Sequence, residues 1–211
     1  MQYKIAKIDM SHEEYLSRLT HHEYFAEKVK GMKPESRRYL EVLAVRYLLK
    51  EMLGEEQVIL YDEDGTPYFQ YRQQGKEFLS ISHTDGFAAV VVGDKPVGID
   101  IERRGRRVER VKSHFLQECE ETLVTITAHD NSEEFMNTDD IAGLGLHLIW
   151  SAKEAAYKVL GPRYFDLQNL TCVRDIDYIN KVIKMEVVGK DPLTIHFEYT
   201  KDYVLCYLIS D

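Results

Sequence analysis

The chain has little of what marks extracellular, membrane or zinc-binding proteins. Its three cysteines, Cys119, Cys172 and Cys206, are odd in number and scattered, which argues against a disulfide framework and predicts incidental or buried thiols. The eight histidines include no H-x-x-x-H pair, so the sequence offers no helical zinc site. No apolar run is long enough for a signal peptide or a membrane span. We therefore expect a cytoplasmic protein with no membrane partner.

Two common nucleotide-binding signatures are missing as well. The sequence contains neither a Walker loop nor G-x-G-x-x-G. The formal net charge of -9 argues against a nucleic-acid-binding surface. With 211 residues, of which 44% are apolar and 30% charged, the chain can bury a core as one domain or as two intimate halves.

The predicted elements of the first half follow an α+β order. Residues 3–9 alternate as a strand, and Ser11 with Glu14 forms a capping box at the start of a helical stretch that runs to about Lys30. A second helix is predicted from about Pro34 to Leu53, and it stops at Gly54. The apolar run Phe87 to Val92 predicts a strand that is covered on both faces.

The second half is predicted to begin with helices and end with strands. Helical stretches are expected near 106–128 and 141–160, separated by the polar segment 129–140. Alternating runs over residues 171–209 then predict an antiparallel meander.

Two acidic clusters supply candidate metal ligands. In the strand-like run Gly98 to Glu102, side chains alternate, so Asp100 and Glu102 point to the same face. In the helical run that follows Trp150, Glu154 and Lys158 are four residues apart and share a face. A strand carboxylate pair facing a helix carboxylate makes an oxygen-rich pocket of the kind that magnesium prefers.

Each of these features has a plainer explanation when it is taken alone. Acidic residues are common on the solvent face of an edge strand, and Glu154 with Lys158 has the spacing of an ordinary surface salt bridge. Likewise, a histidine such as His83, at the end of a strand and before a turn, is more often a hydrogen-bonded structural residue than a phosphate ligand.

A third segment, Leu79 to Gly86, changes this balance because it carries Ser80, Ser82 and His83 directly before the buried strand. The order S-x-S-H, apolar strand, V-G-I-D-I-E and W-S-x-K-E-A-x-x-K resembles the ordered signature of the 4'-phosphopantetheinyl transferase superfamily. The length resembles its larger, Sfp-type branch. The resemblance extends to the predicted helix from Pro34 to Leu53, the arginine-bearing helix, which carries Arg38 and Arg46. It also extends to a D-G-T-P-Y turn, in which Thr66 stands where the family usually has lysine.

The resemblance implies a magnesium-dependent holo-[acyl-carrier-protein] synthase. Such enzymes move the 4'-phosphopantetheine arm of coenzyme A to a serine of an apo acyl or peptidyl carrier protein, and release adenosine 3',5'-bisphosphate. They serve fatty-acid, polyketide or nonribosomal peptide biosynthesis. The implied fold has two similar α+β halves, residues 1–102 and 103–211, related by a pseudo-twofold axis with the active site in the cleft between them. A chain that holds both halves is expected to be a monomer.

The same resemblance assigns roles to individual residues. It implies that Asp100, Glu102 and Glu154 hold the metal, and that Glu154, Lys158 and Asp100 are catalytic. The residues implied to bind coenzyme A are Arg38, Arg46, Ser82, His83, Thr84, Lys153 and Lys158. Glu154 could ligate the metal, accept the serine proton or do both, and the role of Glu120, at the end of a segment that also resembles the family, stays open.

Several interpretations remain open on the sequence alone. A degenerate relative that binds coenzyme A or a carrier protein without catalysis is the main alternative, and an unrelated magnesium enzyme acting on a nucleotide diphosphate is another. A basic cluster follows the predicted metal ligands and is either a docking surface for an acidic carrier protein or a solvated helix face that pairs with Glu118, Glu120 and Glu121. Its members are Arg103, Arg104, Arg106, Arg107, Arg110 and Lys112.

Overall fold

A computed structural model describes residues 1–71, 75–124 and 143–210 of the chain. They form an α+β fold, as predicted, and divide into two compact units. The first unit contains residues 1–101 and the last few residues from Ile209, and the second contains residues 102–208. Each unit is described by itself below, and the pseudo-twofold relation between the halves stays a prediction.

The first unit is built around a three-stranded antiparallel sheet with the order β1 (Gln2–Lys7), β5 (Phe87–Gly93) and β4 (Phe78–Thr84). A separate hairpin pairs β2 with β3. A further strand, β6, carries the chain from the first unit into the second. The elements are β1 (Gln2–Lys7), α1 (His12–Arg18), a 3-10 turn (His22–Tyr24), α2 (Ala26–Val29), α3 (Arg37–Leu53), β2 (Ile59–Tyr61), β3 (Pro67–Phe69), β4 (Phe78–Thr84), β5 (Phe87–Gly93) and β6 (Val97–Arg103).

Local signals in the sequence set the ends of the first helices. The capping box of Ser11 and Glu14 is present as predicted, with each side chain bonded to the other residue's backbone N–H. Helix α3 begins after Ser36, whose side chain accepts from the Tyr39 N–H, and ends at Gly54 with φ of 82°. The predicted helical stretch to Lys30 is wrong in extent, because α1 ends at Arg18 and only short helical turns follow.

The core of the first unit lies between α3 and the sheet. The prediction of a strand covered on both faces is confirmed, because β5 is the central strand and its residues 88–92 are fully buried. Leu43, Leu48 and Leu49 of α3 are equally buried and belong to the same cluster. Burying each such leucine stabilises the fold by roughly 1.5–3 kcal/mol, so this packing holds α3 firmly on the sheet.

The second unit packs one long helix, α6 (Leu144–Leu160), on an antiparallel meander with the strand order β10 (Tyr203–Ile209), β9 (Leu193–Tyr199), β8 (Val182–Val187) and β7 (Thr171–Asp177). The predicted helix over 106–128 is instead divided into two short α-helices and two 3-10 turns, and its last residues, like the predicted segment 129–140, lie outside the described residues. The elements are α4 (Arg107–Val111), 3-10 turns (Lys112–His114, Glu118–Glu120), α5 (Glu121–Val124), α6 (Leu144–Leu160), a 3-10 turn (Pro162–Tyr164), α7 (Leu167–Leu170), β7 (Thr171–Asp177), β8 (Val182–Val187), β9 (Leu193–Tyr199) and β10 (Tyr203–Ile209).

Two of the three cysteines lie close together in the fold, although they are scattered along the sequence. Cys119 and Cys172, 53 residues apart in the chain, bring their sulfur atoms to 2.7 Å, and Cys119 is exposed to solvent. Cys206 is buried. Within the described residues, no helix combines the length and the apolar composition that crossing a membrane requires.

Candidate functional site

The S-x-S-H segment forms part of β4, whose two faces differ in their exposure to solvent. Ser82 and Thr84 point to a buried face, whereas His83, between them, points the other way and remains partly exposed. The Ser82 hydroxyl donates to Asp100 Oδ1 at 2.9 Å and accepts from the Ile101 N–H at 3.2 Å. Ser82 therefore fixes the position of the Asp100 carboxylate.

The arginine-bearing helix α3 turns charged side chains toward a cavity of about 190 Å³ in the first unit. Arg38, Glu41 and Arg46 line it, and Arg38 and Glu41, three residues apart, are neighbours on the helix surface. His83 of β4 lines the same cavity. The structure thus brings together three of the residues that the sequence predicts to bind coenzyme A.

Arg46 is the most informative residue of this cavity. It is only 6% exposed, and its Nε and Nη2 atoms have no hydrogen-bond partner among the residues that the structure describes. Burial lowers the pKa of Arg46, but a guanidinium keeps its charge in proteins. A buried charge with unused donors is costly unless an anion compensates it. The cavity is therefore suited to an anionic ligand.

Glu41 organises the other cations around the cavity. It is 4% exposed and accepts from Arg37 Nε at 2.8 Å and from Arg38 Nη1 at 3.4 Å. His83 Nδ1 lies 3.2 Å from Glu41 Oε2. Burial alone would raise the pKa of Glu41, but the hydrogen bonds from His83 and Arg37 outweigh it and lower that pKa to about 2.

The bonding also fixes which nitrogen of His83 carries the proton in this arrangement. The Arg38 guanidinium contacts His83 Nε2, and a guanidinium can only donate hydrogen bonds. Nε2 is therefore the acceptor, and Nδ1 carries the hydrogen that points to Glu41. Glu41 holds the ring in the orientation that turns Nε2 away from the carboxylate.

Sequence reasoning missed Lys28, Glu41 and Tyr61, which complete the cavity. Lys28 Nζ lies 3.5 Å from the centre of the Tyr61 ring, so the ammonium group stacks on an aromatic face. Glu41 had a usable signal, because it is three residues after Arg38 on the same predicted helix. Lys28 and Tyr61 belong to no motif, and only the fold brings them to α3.

The turn between β2 and β3 borders the same cavity. Gly65 and Pro67 line it, on either side of Thr66, the residue that departs from the family pattern. The Asp62 carboxylate shapes this turn by accepting from the Thr66 N–H at 2.7 Å. The shape of the turn is thus set by its own hydrogen bonds.

In the second unit, the W-S-x-K-E-A-x-x-K segment forms part of α6. Glu154 and Lys158 are partly exposed and lie one helical turn apart. Glu102, at the start of this unit, is also partly exposed, whereas Asp100 belongs to the first unit. Across residues 1–71, 75–124 and 143–210, no three histidine, cysteine or acidic side chains are grouped as metal ligands, so the magnesium site stays a prediction.

Lys153 occupies a different environment from the one that a phosphate ligand needs. Its side chain is 0% exposed, and Nζ donates to Glu120 Oε2 at 2.9 Å. The carbonyl oxygens of Phe115, Leu167 and Thr171 also lie within hydrogen-bonding distance of Nζ, so its three N–H bonds are shared among four acceptors. Burial lowers the pKa of Lys153, and the carboxylate of Glu120 opposes that shift. This bonding favours a structural role for Lys153 inside the second unit.

Glu120, whose role the sequence left open, is the other half of this buried pair. Its Oε1 accepts from the Val173 N–H at 2.7 Å, and its Oε2 accepts from the Gln117 N–H at 2.8 Å. The carboxylate therefore joins the 3-10 turn, β7 and α6. The ion pair has good geometry and full hydrogen bonding, the conditions under which a buried pair is tolerated.

Comparison with protein-family models supports the motif analysis independently. The model of the 4'-phosphopantetheinyl transferase superfamily matches residues 96–208, which is more than half of the chain. No curated protein matches the sequence. The matched region includes β6, with Asp100 and Glu102, and α6, with Glu154 and Lys158. The chain belongs to the 4'-phosphopantetheinyl transferase superfamily.

Proposed function

We propose that this protein transfers the 4'-phosphopantetheine arm of coenzyme A to a serine of an apo carrier protein. The serine oxygen forms a bond to the phosphorus that carries pantetheine. The bond from that phosphorus to the bridging oxygen breaks, and adenosine 3',5'-bisphosphate leaves. The observation that carries the proposal is the buried guanidinium of Arg46 beside an anion-sized cavity, in a chain of this superfamily.

The cavity of the first unit is the proposed site for the nucleotide end of coenzyme A. Arg38, Arg46 and Lys28 offer cationic donors there, and His83 offers a ring nitrogen. A phosphate that accepts from Arg46 would satisfy donors that are otherwise unused. In the same proposal, Glu41 acts through His83, because its contact with Nδ1 holds the imidazole ring in place beside the cavity.

Asp100, Glu102 and Glu154 are the proposed magnesium ligands, since hard carboxylate oxygens suit that ion. When bound there, magnesium would neutralise the phosphate oxygens and stabilise the leaving group. We propose that Lys158 contacts the same phosphates and that Glu154 accepts the proton of the attacking serine. Ser82 orients Asp100, which supports a positioning role rather than direct contact with coenzyme A.

Lys153 is left out of the proposed coenzyme A site. A lysine with four acceptors inside the protein and no exposed surface would have to break a buried ion pair to reach a phosphate. Thr84 is buried on the same strand face as Ser82, so it too is proposed as a support of the strand and not as a phosphate ligand.

The basic cluster after β6 is the proposed docking surface for an acidic carrier protein. Arg106, Arg107 and Arg110 are exposed, whereas Val108 of the same short helix is buried, so α4 presents its charges to solvent. The cluster cannot form an ion pair with Glu120, because that carboxylate is buried against Lys153. Complementary charge on a carrier would accelerate its encounter with the enzyme.

The direct test is intact-mass spectrometry of apo carrier proteins incubated with the protein, coenzyme A and magnesium, with an EDTA control. A magnesium-dependent phosphopantetheine gain on at least one acyl or peptidyl carrier supports the proposal and ranks the acceptors. Binding of coenzyme A without any gain would favour the non-catalytic relative. Equal competition by other nucleotide diphosphates for the binding site would favour an unrelated magnesium enzyme.

Arg46→Met provides a sharper test of the cavity, because binding and stability should change in opposite directions. The variant loses charge-assisted hydrogen bonds to a phosphate, each worth about 1.5–3 kcal/mol, so coenzyme A should bind about 10–100-fold more weakly. Without ligand, the variant should be as stable as the wild type or more stable, since a buried uncompensated charge has been removed. The matched ligand is 3'-dephospho-coenzyme A, for which the loss should be small if Arg46 contacts the 3'-phosphate.

A further inference from the structure

A pair of cysteines in the second unit lies outside the proposed transfer chemistry. Cys119 Sγ and Cys172 Sγ are 2.7 Å apart. Cys119 is exposed on the 3-10 turn Glu118–Glu120, and Cys172, at 7% exposure, lies in β7. The two sulfurs of a disulfide are about 2.05 Å apart, so bond formation needs only a small further approach of atoms that already face each other.

The backbone on both sides of the cysteine pair is held by contacts that do not involve sulfur. Glu120, next to Cys119, accepts from the N–H of Val173, next to Cys172, at 2.7 Å. Gln117 Nε2 donates to the Thr171 carbonyl at 3.0 Å. These two hydrogen bonds hold the turn against β7 on each side of the cysteines and so keep the two sulfurs close to each other.

We propose that Cys119 and Cys172 form a reversible intramolecular disulfide by exchange with a small-molecule disulfide such as oxidised glutathione. Cys119 attacks one sulfur of that disulfide as a thiolate, which releases one glutathione thiolate and leaves a mixed disulfide on Cys119. The Cys172 sulfur then attacks the Cys119 sulfur and displaces the second glutathione. The two protein thiols are oxidised, and one glutathione disulfide is reduced to two thiols.

The order of the two steps follows from exposure and proton affinity. Cys119 is exposed, so a small-molecule disulfide can reach it first. Burial raises the pKa of Cys172 to about 12, and its contact with Cys119 adds to the shift, so Cys172 resists ionisation at neutral pH. Cys172 therefore serves as the resolving residue. Its small thiolate fraction at neutral pH should slow the second step and make the mixed disulfide detectable at short times.

The disulfide would fasten the turn that holds the buried ion pair of Glu120 and Lys153. It would close a loop that joins residues 53 apart, which restricts the unfolded chain more than the folded one. For a chain of this size, the expected rise in Tm is about 10 °C. Transfer at 25 °C should not change, because neither cysteine is among the proposed substrate-contacting residues. The inference does not depend on the proposed transfer activity.

The test equilibrates the full-length protein with glutathione redox buffers, denatures it in acid and alkylates every free thiol. The oxidised wild type should carry one alkyl group, on Cys206, and the reduced protein three. Cys206→Ser should still lose two reactive thiols on oxidation. Cys119→Ser should lose none, and since Cys119 is exposed this variant should fold normally. Cys172→Ser should trap one glutathione on Cys119.

Two results would overturn the inference. One is an oxidised wild type that keeps three alkylated thiols or retains glutathione on Cys119 at equilibrium. The other is an oxidised wild type whose Tm rises no more than that of Cys119→Ser under the same buffers. A disulfide confirmed by peptide mapping between residues 119 and 172, together with a Tm rise that dithiothreitol reverses, would support it.

Discussion

Replacing Lys153 should lower the free energy of unfolding of the second unit far more than replacing any exposed lysine would. Lys153→Met removes the ammonium group but keeps most of the side-chain volume. It leaves the Glu120 carboxylate buried, with two backbone N–H donors and no opposite charge. Breaking a buried pair in this way costs about 3–5 kcal/mol. Because Glu120 retains two hydrogen bonds, we expect a value near the lower end, about 3 kcal/mol.

Variants of Glu120, alone and combined with Lys153→Met, measure the interaction energy between the two buried charges. Glu120→Gln leaves the Lys153 ammonium with only carbonyl acceptors and should also be strongly destabilising. In Lys153→Met combined with Glu120→Gln, no buried charge remains. The double variant should therefore be more stable than the sum of the single changes predicts, by about 1–3 kcal/mol. Lys190→Met, at an exposed position, is the matched control and should change stability by about 0.5 kcal/mol or less.

Equilibrium unfolding in urea, followed by the fluorescence of Trp150, measures these changes in the right part of the molecule. Trp150 is the only tryptophan, and its ring packs 4.9 Å from that of Phe115 in the second unit. A Lys153→Met protein that is within 1 kcal/mol of the wild type, but has a coenzyme A KM raised at least tenfold, would refute the structural assignment. It would restore Lys153 as a phosphate ligand.

Three further changes test the proposed site. Glu154→Gln should abolish transfer while Tm stays near that of the wild type, and near-normal turnover of the folded variant would remove Glu154 from the mechanism. Folding lowers the pKa of Glu41 from 4.5 to about 2, so the ionised carboxylate adds up to roughly 3 kcal/mol to the free energy of unfolding. This contribution is complete above pH 4.5 and is lost as the pH falls toward 2. Glu41→Gln should therefore flatten the acid limb of the unfolding curve, and an unchanged limb would contradict the ion-pair geometry. Reversing charge at Arg107 and Arg110 should raise the KM for the carrier and weaken its salt dependence but leave coenzyme A binding intact, and an unchanged carrier KM would eliminate α4 as the docking surface.

The sequence was sufficient where a signal is local or periodic. The capping box of Ser11, the end of α3 at Gly54 and the doubly buried β5 all follow from short patterns, and the structure has each of them. The ordered motifs also indicate the superfamily whose family model matches the chain. These features depend on neighbours in the chain or on strict periodicity, which a single sequence displays directly.

The sequence was insufficient where the fold joins distant residues. Lys28 and Tyr61 reach the cavity through tertiary packing, and nothing in their own segments indicates a charged pocket. Lys153 sits within a recognisable motif beside Glu154, yet its side chain turns inward to Glu120, 33 residues earlier. Helix faces cannot be assigned to solvent or core when the partner is an irregular turn, since the 3.6-residue period reports only which residues share a face.

The two serine hydroxyls of β4 set the register of the strand that carries Asp100. Ser80 accepts from the Ile99 N–H and Ser82 from the Ile101 N–H, both across a separation of 19 residues. The spacing of the serines thus matches the spacing of the isoleucines. A residue inserted within β6 between Ile99 and Asp100 would break this match and turn Asp100 to the opposite face, whereas one inserted in a turn on either side of β5 could be absorbed there. The length of these turns can therefore vary more freely than the two-residue spacing inside β4 and β6.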